Sequence, residues 1–397
     1  MSRLRVAIVT PGSFVIPSGK SSSVELTVMQ IGERLKQQSD VWIFGKKMGR
    51  RPARETIQEI RFVRTAAKPY IRHICLALKR EQPDVIQVEN RPRYAKYVKR
   101  LFPQKPVVLS LHSTVFISRP HISLPSLRAC LGAVDAIVVN SQFLKDKVAA
   151  MDPSSDSKIV VNHLGVDTGR FVSKWADGER GKREEMLEKL GLAGKKIVLY
   201  VGRFIPKKGV HHLLAAMPAI TALEPDAVLL LVGGAYYGSN RKTAYVRKLH
   251  KMASIVKSNV RFVPFVPHGE IADWFRLADV VVVPSARQEA FGLVNVEAMA
   301  SGVPVVATAV GGMTEIIQHE QSGLLVTSAH ISVGLAESIC SVLADPGYAQ
   351  KLGENGLSRV RERFTWEHSA NRLLELYRKL DGGMAWSKEA LFQIASK

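Results

Sequence analysis

Two glutamates eight residues apart, Glu289 and Glu297, flank a short turn and could bind one elongated polar ligand. The β-branched run 280–284 predicts a buried strand, and residues 293–300 predict a helix after the turn at 290–292. The first N–H groups of a helix lack intrahelical partners and lie at the positive end of its dipole. We therefore expect this turn to receive a phosphate or a sugar hydroxyl oxygen.

The two carboxylates suit a ligand that carries hydroxyl groups. Glu289 would lie just outside the turn and Glu297 about one helical turn inside it, so both could reach the same molecule. Carboxylates accept hydrogen bonds from pairs of hydroxyls, such as the diols of ribose and hexose. Two glutamates at this spacing are also common as solvated surface charges, and the spacing alone leaves that alternative open.

The residues that follow add a strand and a second helix start. Ser301–Val306 predicts a helix stop and then a buried strand, while Gly311 and Gly312, with Glu315, open another helix. The segment 285–315 resembles the donor-binding signature of retaining GT-B glycosyltransferases, glycosyltransferase family 4 (group 1) in particular. That signature is a glutamate, seven residues, a second glutamate, a G-x-P strand and a glycine pair. The resemblance implies an α/β fold of the GT-B type, with two Rossmann-like doubly wound domains facing across a cleft.

Length and composition agree with two globular domains. The chain has 397 residues, 46% apolar and 23% charged, which is typical of folded proteins and exceeds one ordinary core. Its apolar runs are far shorter than the roughly 18 residues that span a bilayer. The first apolar stretch, Val6–Val9, is too short for the core of a signal peptide. We therefore expect a cytoplasmic protein.

No motif indicates a metal or another cofactor. The three cysteines, Cys75, Cys130 and Cys340, lie far apart in apolar surroundings, which favours reduced core thiols over a zinc site or a disulfide framework. Asp-x-Asp does not occur in the sequence, and no His, Cys and Asp residues share metal-ligand spacing. We therefore expect no divalent cation beside a bound diphosphate.

The net charge of +21 is concentrated in the first half of the chain. Residues 1–180 carry 30 Lys and Arg against 15 Asp and Glu, whereas residues 181–397 carry 26 against 20. Such a field favours an anionic partner: a phosphate ligand, an acidic polymer, an anionic membrane or nucleic acid. Nucleic-acid binding is disfavoured, because the basic runs 46–54 and 96–100 contain only Tyr97 as an aromatic residue. Peripheral contact with an anionic membrane, at its inner face, stays open.

Short β-branched runs alternate with helical patterns, which predicts parallel sheets with helical crossovers. The predicted strands are 5–10, 41–44, 60–63, 85–88, 107–111, 136–139, 159–161, 197–201, 228–232, 260–264, 280–283, 303–307 and 324–326. The charged patch Ser173–Glu185 is predicted to be a structureless linker. We expect an acceptor-side domain over residues 1–175 and a donor domain over 176–365. In residues 366–397 we expect a C-terminal helix, which the resemblance implies crosses back to the first domain.

Two cations lie at the two ends of a loop that follows the strand 197–201. Arg203 could grip a phosphate with two N–H groups, and Lys208 could act as a point charge, so together they could neutralise a diphosphate. An exposed basic loop is the alternative. The loop matches the diphosphate motif of the family, so the resemblance implies that role for Arg203 and Lys208. Lys207 is interpreted as a surface charge.

Further ligand contacts are expected at the ends of the next two strands. Gly233 follows the strand 228–232, where it would line the ligand cleft. The segment 262–267, which contains Phe265, is predicted to form the floor under the nucleotide base. Core packing explains its two phenylalanines equally well, so no base is assigned.

A histidine ends one strand of the first domain. His112 follows the strand 107–111, at the carboxyl edge where ligands collect, and can donate a hydrogen bond to a phosphate or sugar oxygen. A histidine satisfied within the protein is the alternative that the residues leave open. The resemblance implies a contact between His112 and the donor. Ser141, after the next strand, is a further candidate.

The loop after the first strand departs from the family pattern. Ser22 and Ser23 stand where the family has a glycine pair before the residue that matches Glu25, and Gly19 lies upstream as a candidate ligand contact. Serine N–H and hydroxyl groups can still meet a phosphate or acceptor oxygen, but the backbone loses the freedom of glycine.

The resemblance implies a metal-independent retaining hexosyltransferase. A hexose would move from a nucleotide diphosphate sugar, most commonly UDP-linked but alternatively GDP- or ADP-linked, to a glycan or lipid-linked acceptor. Front-face attack, assisted by the leaving phosphate, would make catalysis a matter of positioning and charge stabilisation. Glu289 would hold sugar hydroxyls and Glu297 the ribose diol.

Two other functions stay open at this point. A nucleotide-sugar epimerase of the GT-B type would handle the same ligand, and a basic non-catalytic scaffold would bind anionic glycan or membrane. The segments 88–92 and 23–25 are similar to bacterial glycosyltransferases associated with spore coat or cell-surface polysaccharide. That similarity implies an acceptor in the cell envelope or spore coat.

Overall fold

The computed structural model describes residues 3–18, 22–236, 241–327 and 329–382. The chain forms two compact units. One contains the residues up to Leu164 together with those from Trp366 onward, and the other is Gly165–Thr365. Each unit is an α/β fold built on its own sheet.

The elements alternate along the chain as a parallel α/β architecture requires. The strands are β1 (Leu4–Val9), β2 (Ser39–Lys46), β3 (Arg54–Ile57), β4 (Ile60–Thr65), β5 (Val85–Glu89), β6 (Val107–Leu111), β7 (Ala136–Val139), β8 (Ile159–Val161), β9 (Lys196–Arg203), β10 (Ala227–Gly234), β11 (Val260–Val263), β12 (Val280–Val283), β13 (Val305–Thr308) and β14 (Leu324–Val326). The helices are α1 (Ser23–Leu35), α2 (Tyr70–Glu81), α3 (Pro92–Leu101), α4 (Leu124–Ala133), α5 (Gln142–Met151), α6 (Glu179–Lys189), α7 (Val210–Leu223), α8 (Ala244–Ala253), α9 (Ile271–Leu277), α10 (Leu293–Ala300), α11 (Met313–Ile316), α12 (Ile331–Ala344), α13 (Pro346–Arg363) and α14 (Trp366–Asp381). No helix of the described residues combines the length and the apolarity needed to cross a bilayer.

The first sheet has the order β3-β4-β2-β1-β5-β6-β7-β8 and the second has the order β11-β10-β9-β12-β13-β14. The described pairings are parallel except the one between β3 and β4. Central strands such as β6 and β12 are buried along their whole length, because helices cover both faces of a parallel sheet. The predicted strands therefore recur with ends shifted by a few residues. Strand β3 was not predicted, since its sequence RETI is polar and lies at an exposed edge.

The prediction of a structureless linker over 173–185 is wrong. Lys174 is buried, and its Nζ donates to the carbonyl oxygen of Ala278 at 2.8 Å and to Asp279 at 3.2 Å. The indole of Trp175 donates to the carbonyl oxygen of Gly302, and α6 begins four residues later. Charged residues form ordered structure here because their partners belong to the second unit. The first unit accordingly ends at Leu164, earlier than the predicted residue 175.

The last helix, α14, belongs to the first unit, where it packs against α1 and β5. The hydroxyl of Tyr377 donates to Gln87 Oε1 at 2.6 Å, and Asn162 donates to Ser369 Oγ at 3.1 Å. Both bonds are buried, so the helix is tied to the interior of this unit by polar contacts as well as by its apolar face.

Asp279 organises the start of the second sheet, because its carboxylate accepts hydrogen bonds from Lys174, from Arg183 and from the N–H group of Ile197. We predict that Asp279→Ala lowers the free energy of unfolding by about 3 kcal/mol, since it leaves a buried ammonium group without its carboxylate. Urea denaturation followed by fluorescence measures the change. The matched control Asp226→Ala removes an exposed partner of Lys195 and should leave the midpoint unchanged. Equal midpoints for the two variants would contradict the prediction.

Candidate functional site

The carboxyl edge of the second sheet collects the residues predicted from the sequence. Arg203 ends β9 and Lys208 follows it, Gly233 lies in β10, Phe265 follows β11, and Glu289 follows β12. Parallel strands end at one edge of their sheet, so these side chains and backbone groups lie along a single edge.

Lys208 and Glu289 form an ion pair there. The Lys208 Nζ atom lies 2.6 Å from Glu289 Oε2, which also accepts a hydrogen bond from the Ser285 hydroxyl at 2.9 Å. Burial raises the pKa of the Glu289 carboxyl, but the Lys208 ammonium and the Ser285 hydroxyl outweigh that effect and lower the pKa overall. Glu289 is therefore an ionised hydrogen-bond acceptor beside a cation.

Backbone contacts hold this pair in place. The N–H group of Ala286 donates to the carbonyl oxygen of Lys207, and the N–H group of Gly312 donates to that of Glu289, both at 2.9 Å. A Cβ atom on Gly209 would lie 1.7 Å from the Pro284 carbonyl oxygen, and one on Gly311 would lie 2.0 Å from that of Glu289. Only glycine permits such close approach at these two positions.

Lys207 lies at the surface, as predicted, and also interacts with the ion pair. Its side chain is exposed, yet it interacts with Glu289, Lys208 and Arg203. Partial burial, together with the two neighbouring cations, lowers the pKa of Lys207, while Glu289 opposes that shift. Two lysines, Lys207 and Lys208, therefore interact with one carboxylate, and this local positive charge favours an anionic ligand.

Helix α10 begins at this cluster. Gly292 is its N-cap residue, with a φ of 99°, and Leu293 is half-buried at its first position. Phe291, predicted to contact the ligand, turns its ring into the core against Phe364, with the ring centroids 6.1 Å apart. Ligand contact by Phe291 is therefore restricted to its backbone.

Glu297 lies in a different environment from Glu289. Its carboxyl is almost fully buried in α10, 3.9 Å from Nδ1 of His268, and interacts with Arg170. Burial raises the pKa of Glu297 to about 8, although Arg170 acts in the opposite direction. Burial, with Arg170 contributing, lowers the pKa of His268 to about 4. At pH 7 both groups are consequently neutral, and the Glu297 carboxyl can donate as well as accept a hydrogen bond.

The two remaining candidates of this unit contribute in different ways. Gly233 pairs with Gly202 across β9 and β10, at the end of the sheet. Phe265 is half-buried beyond β11, whereas Phe262 packs on His250 with the ring centroids 3.9 Å apart. Phe262 is also half-buried, but its ring is engaged by His250 and by Phe204, which leaves Phe265 as the aromatic candidate for a base contact in this segment.

In the first unit, His112 is part of a buried hydrogen-bond network. Its Nε2 lies 2.7 Å from Glu89 Oε2 and 3.1 Å from the Ser110 hydroxyl, and its side chain is 9% exposed. Glu89 in turn accepts a hydrogen bond from Gln87 at 2.5 Å. These side chains line a cavity of about 20 Å³, together with Asn140. The Glu89 carboxylate therefore holds the imidazole at its Nε2 atom. This partner was not predicted from the sequence.

The other candidates of the first unit are not assigned a ligand contact. Ser141 is fully buried, and its hydroxyl accepts from the N–H group of Leu144 as the N-cap of α5, so the prediction of a ligand contact is wrong. Gly19 lies outside the described residues. Ser22 is the N-cap residue of α1, and its hydroxyl is hydrogen-bonded to Glu25, which is buried.

Comparisons with known proteins agree with this arrangement. Residues 182–359 match the family model of the glycosyl transferases group 1, and residues 24–170 match that of glycosyltransferase family 4. Spore coat protein SA of Bacillus subtilis (strain 168) is 29% identical over 376 residues, covering 95% of this chain and 100% of the relative. D-inositol 3-phosphate glycosyltransferase 1 of Catenulispora acidiphila is 33% identical over 296 residues, covering 70% of this chain and 68% of the relative. The chain belongs to the group 1 glycosyltransferases.

Its fold is that of GT-B glycosyltransferases. A crystal structure of Anabaena HepE in complex with UDP superposes with a TM-score of 0.76 at 21% identity, covering 95% of this chain and 100% of that one. At this identity the likeness concerns the fold. The structure of this group 1 glycosyltransferase additionally identifies Glu89, Ser285, His268 and Arg170 as partners of the predicted residues. Of these, Glu89 had a signal in the sequence, since it is the one ionisable residue of the strand VIQVE.

The environment of Glu297 predicts a pH-dependent stability. An unfolded glutamate titrates near 4.5, whereas the folded protein keeps this proton up to about pH 8. The neutral form fits the folded state, so stability falls as pH rises from about 4.5 to about 8 and the loss persists above that range. We predict that Glu297→Gln removes this loss, so that the difference in Tm between variant and wild type grows between about pH 5 and pH 8. Thermal melts across pH measure it. The exposed Glu320→Gln is the control, and a difference in Tm that does not change with pH would contradict the prediction.

Proposed function

We propose that the protein is a retaining glycosyltransferase that moves a hexose from a nucleotide diphosphate sugar, with UDP-sugars favoured, to a glycan or other cell-envelope or spore-coat acceptor. The observation that carries this proposal is the Lys208–Glu289 pair at the carboxyl edge of the second sheet. A nucleotide sugar presents an anionic diphosphate and a row of hydroxyls on one molecule. A cation and an ionised carboxylate in direct contact can bind both parts of it at once.

The diphosphate is assigned to the cations and to the start of α10. Lys207 and Lys208 both interact with the carboxylate of Glu289, and Arg203 interacts with Lys207, so a group of positively charged side chains stands at this edge. The N–H groups at the start of α10 add a partial positive charge at the same edge. These groups would stabilise the negative charge that grows on the diphosphate as the sugar bond breaks.

The two glutamates are assigned to hydroxyl groups of the ligand. Glu289 is ionised and already accepts hydrogen bonds, which suits an acceptor for sugar hydroxyls better than a nucleophile. Glu297 is protonated at pH 7 and can accept from one hydroxyl of the ribose diol while donating to the other. Retention, with front-face attack assisted by the leaving phosphate, is proposed from the family. The contact between His112 and the donor also stays a prediction.

The donor, acceptor and location are proposed from the related proteins and from the exposed charges of the chain. UDP is favoured because the Anabaena protein of the same fold was crystallised with it. A spore-coat or envelope acceptor agrees with the name of the Bacillus relative. We also propose a cytoplasmic location, with exposed cations of the basic runs 46–54 and 96–100 touching an anionic membrane surface.

A panel of UDP-, GDP- and ADP-sugars tests the function through thermal shift and turnover. We expect one nucleotide class to stabilise the protein, by about 2.7 kcal/mol at 100-fold excess over Kd. Lys208→Ala and Glu289→Ala should each reduce turnover by about 100-fold or more while the protein stays folded. Lys257→Ala changes an exposed lysine outside the site and serves as the control. If no nucleotide sugar binds, or if the control is equally impaired, the proposal fails; binding without turnover would support a scaffold.

The metal and stereochemical parts of the proposal need their own test. Among the described residues, no three His, Cys, Asp or Glu side chains are grouped so that they could hold a metal ion. We predict that turnover with the preferred donor stays within about twofold when EDTA replaces magnesium, because the cations at the site neutralise the diphosphate. Proton NMR of the first product should show the anomeric configuration of the donor. Loss of turnover in EDTA that magnesium restores, or an inverted product, would overturn the corresponding part.

A further inference from the structure

Two cations of the first unit bind the same exposed residue in the loop after β1. Arg91 Nη2 donates to the Ser13 hydroxyl at 3.1 Å, and Lys46 Nζ donates to the Ser13 carbonyl oxygen at 3.0 Å. Arg91 follows β5 and Lys46 ends β2, so they approach Ser13 from the strands on either side of β1. Two positive charges therefore lie around one accessible serine at the carboxyl edge of this sheet.

Neither cation forms a direct ion pair with a carboxylate among the described residues. The hydrogen bonds of Arg91 go to Ser13 and to the carbonyl oxygen of Asn90, and that of Lys46 goes to Ser13. Nearby cations behave differently: Arg64 pairs with Glu55 at 2.8 Å. Arg91 is partly buried without a direct ion pair, which costs free energy that an anionic ligand would recover.

The Arg91 guanidinium is held in a defined orientation. Its Cζ atom lies 3.8 Å from the centroid of the Phe116 ring, a stacked arrangement that leaves the edge of the guanidinium available to an anion. Burial lowers the pKa of Arg91, and Glu25 with Tyr70 and Tyr94 opposes that shift. Arginine nevertheless keeps its charge at neutral pH.

The backbone before Arg91 links this cluster to His112. Asn90 is buried and adopts a φ of 55°, a left-handed conformation that is uncommon outside glycine. Its N–H group donates to the carbonyl oxygen of Ser110 at 2.7 Å, and its Oδ1 accepts from the N–H group of His112 at 3.1 Å. Such strain persists where the surrounding structure holds a functional geometry. Here the two hydrogen bonds of Asn90 hold the backbone next to Arg91 against the backbone of His112.

The spacing of the sheet suits a small anionic ligand. Ser13 follows β1 and His112 follows β6, two strands away in the order β1-β5-β6. Neighbouring strands lie about 4.8 Å apart, so about 10 Å separates the two strand ends. A molecule of the size of a sugar phosphate can therefore reach both positions.

We propose that Ser13, Lys46 and Arg91 form a subsite for an anionic group of the acceptor, a phosphate or a carboxylate, with the reacting hydroxyl directed toward His112. Arg91 would bind two oxygens of the anion, and Lys46 would act as a point charge. This inference rests on the proposed function only for the identity of the molecule as an acceptor. The presence of an anion site stands on the contacts of the first unit alone.

Inorganic phosphate is the probe, titrated by calorimetry into the full chain with and without saturating UDP. With UDP present, we expect saturable binding that Arg91→Gln weakens by about tenfold or more and Lys46→Met by severalfold. The matched controls are Arg93→Gln on the same helix and Lys47→Met beside Lys46, both exposed residues. The controls should stay within about twofold of wild type, because they remove the same charge elsewhere. Circular dichroism verifies that each variant is folded.

Three results would overturn the subsite. The first is the absence of saturable phosphate binding, and the second is that the control variants weaken phosphate binding as much as Arg91→Gln does. The third is that UDP abolishes phosphate binding while Arg91→Gln weakens the binding of UDP. The last result would assign these cations to the donor. Failure of UDP to bind, with phosphate binding that still depends on Arg91, would instead count against the proposed UDP donor and leave the anion subsite supported.

Discussion

The site of the second unit depends on the close backbone approach of three loops at the carboxyl edge of its sheet. The loop after β12 lies between Gly209 on one side and Gly311 on the other, where a carbonyl oxygen occupies the space that a side chain would need. Hydrogen bonds from Ala286 and Gly312 then fix that loop. The Lys208–Glu289 contact follows from this arrangement, because each side chain begins on a backbone that is already held in place.

The two glutamates show how one residue type acquires two chemical states. Glu289 is next to cations and a hydroxyl donor, so its pKa is lowered and it stays ionised. Glu297 is buried with only the more distant Arg170 in opposition, so its pKa rises to about 8 and it keeps its proton at pH 7. Opposite pKa shifts in neighbouring acids are typical of functional sites. An ionised acceptor and a neutral group that can also donate would suit different hydroxyls of the proposed sugar nucleotide.

Much of this arrangement was predictable from the sequence, and the failures have physical causes. Runs such as VVVV and VVLSL predict buried parallel strands, and parallel strands end at one edge of their sheet, so the edge position of Arg203, Lys208 and Glu289 was predictable. The linker prediction failed because Lys174 and Arg183 find Asp279 some 100 residues away, and polarity in sequence does not reveal such partners. For Phe291, the sequence correctly placed the backbone in the turn before α10. It did not predict the direction of the ring, which depends on a contact with Phe364, far along the chain. The Glu89–His112 bond is likewise a contact between strands.

The cations at the sheet edges of the two units differ in whether they are paired with a carboxylate. Lys208 is matched by a carboxylate at the second edge, whereas Arg91 and Lys46 at the first edge contact only neutral oxygens. Arg91 is partly buried without a direct ion pair, and its contact with Phe116 and the left-handed backbone of Asn90 hold it in place. The larger positive charge of the first half of the chain is therefore more than a general property of the surface. Part of it is placed at the edge where His112 lies, which is where an anionic acceptor would gain most from it.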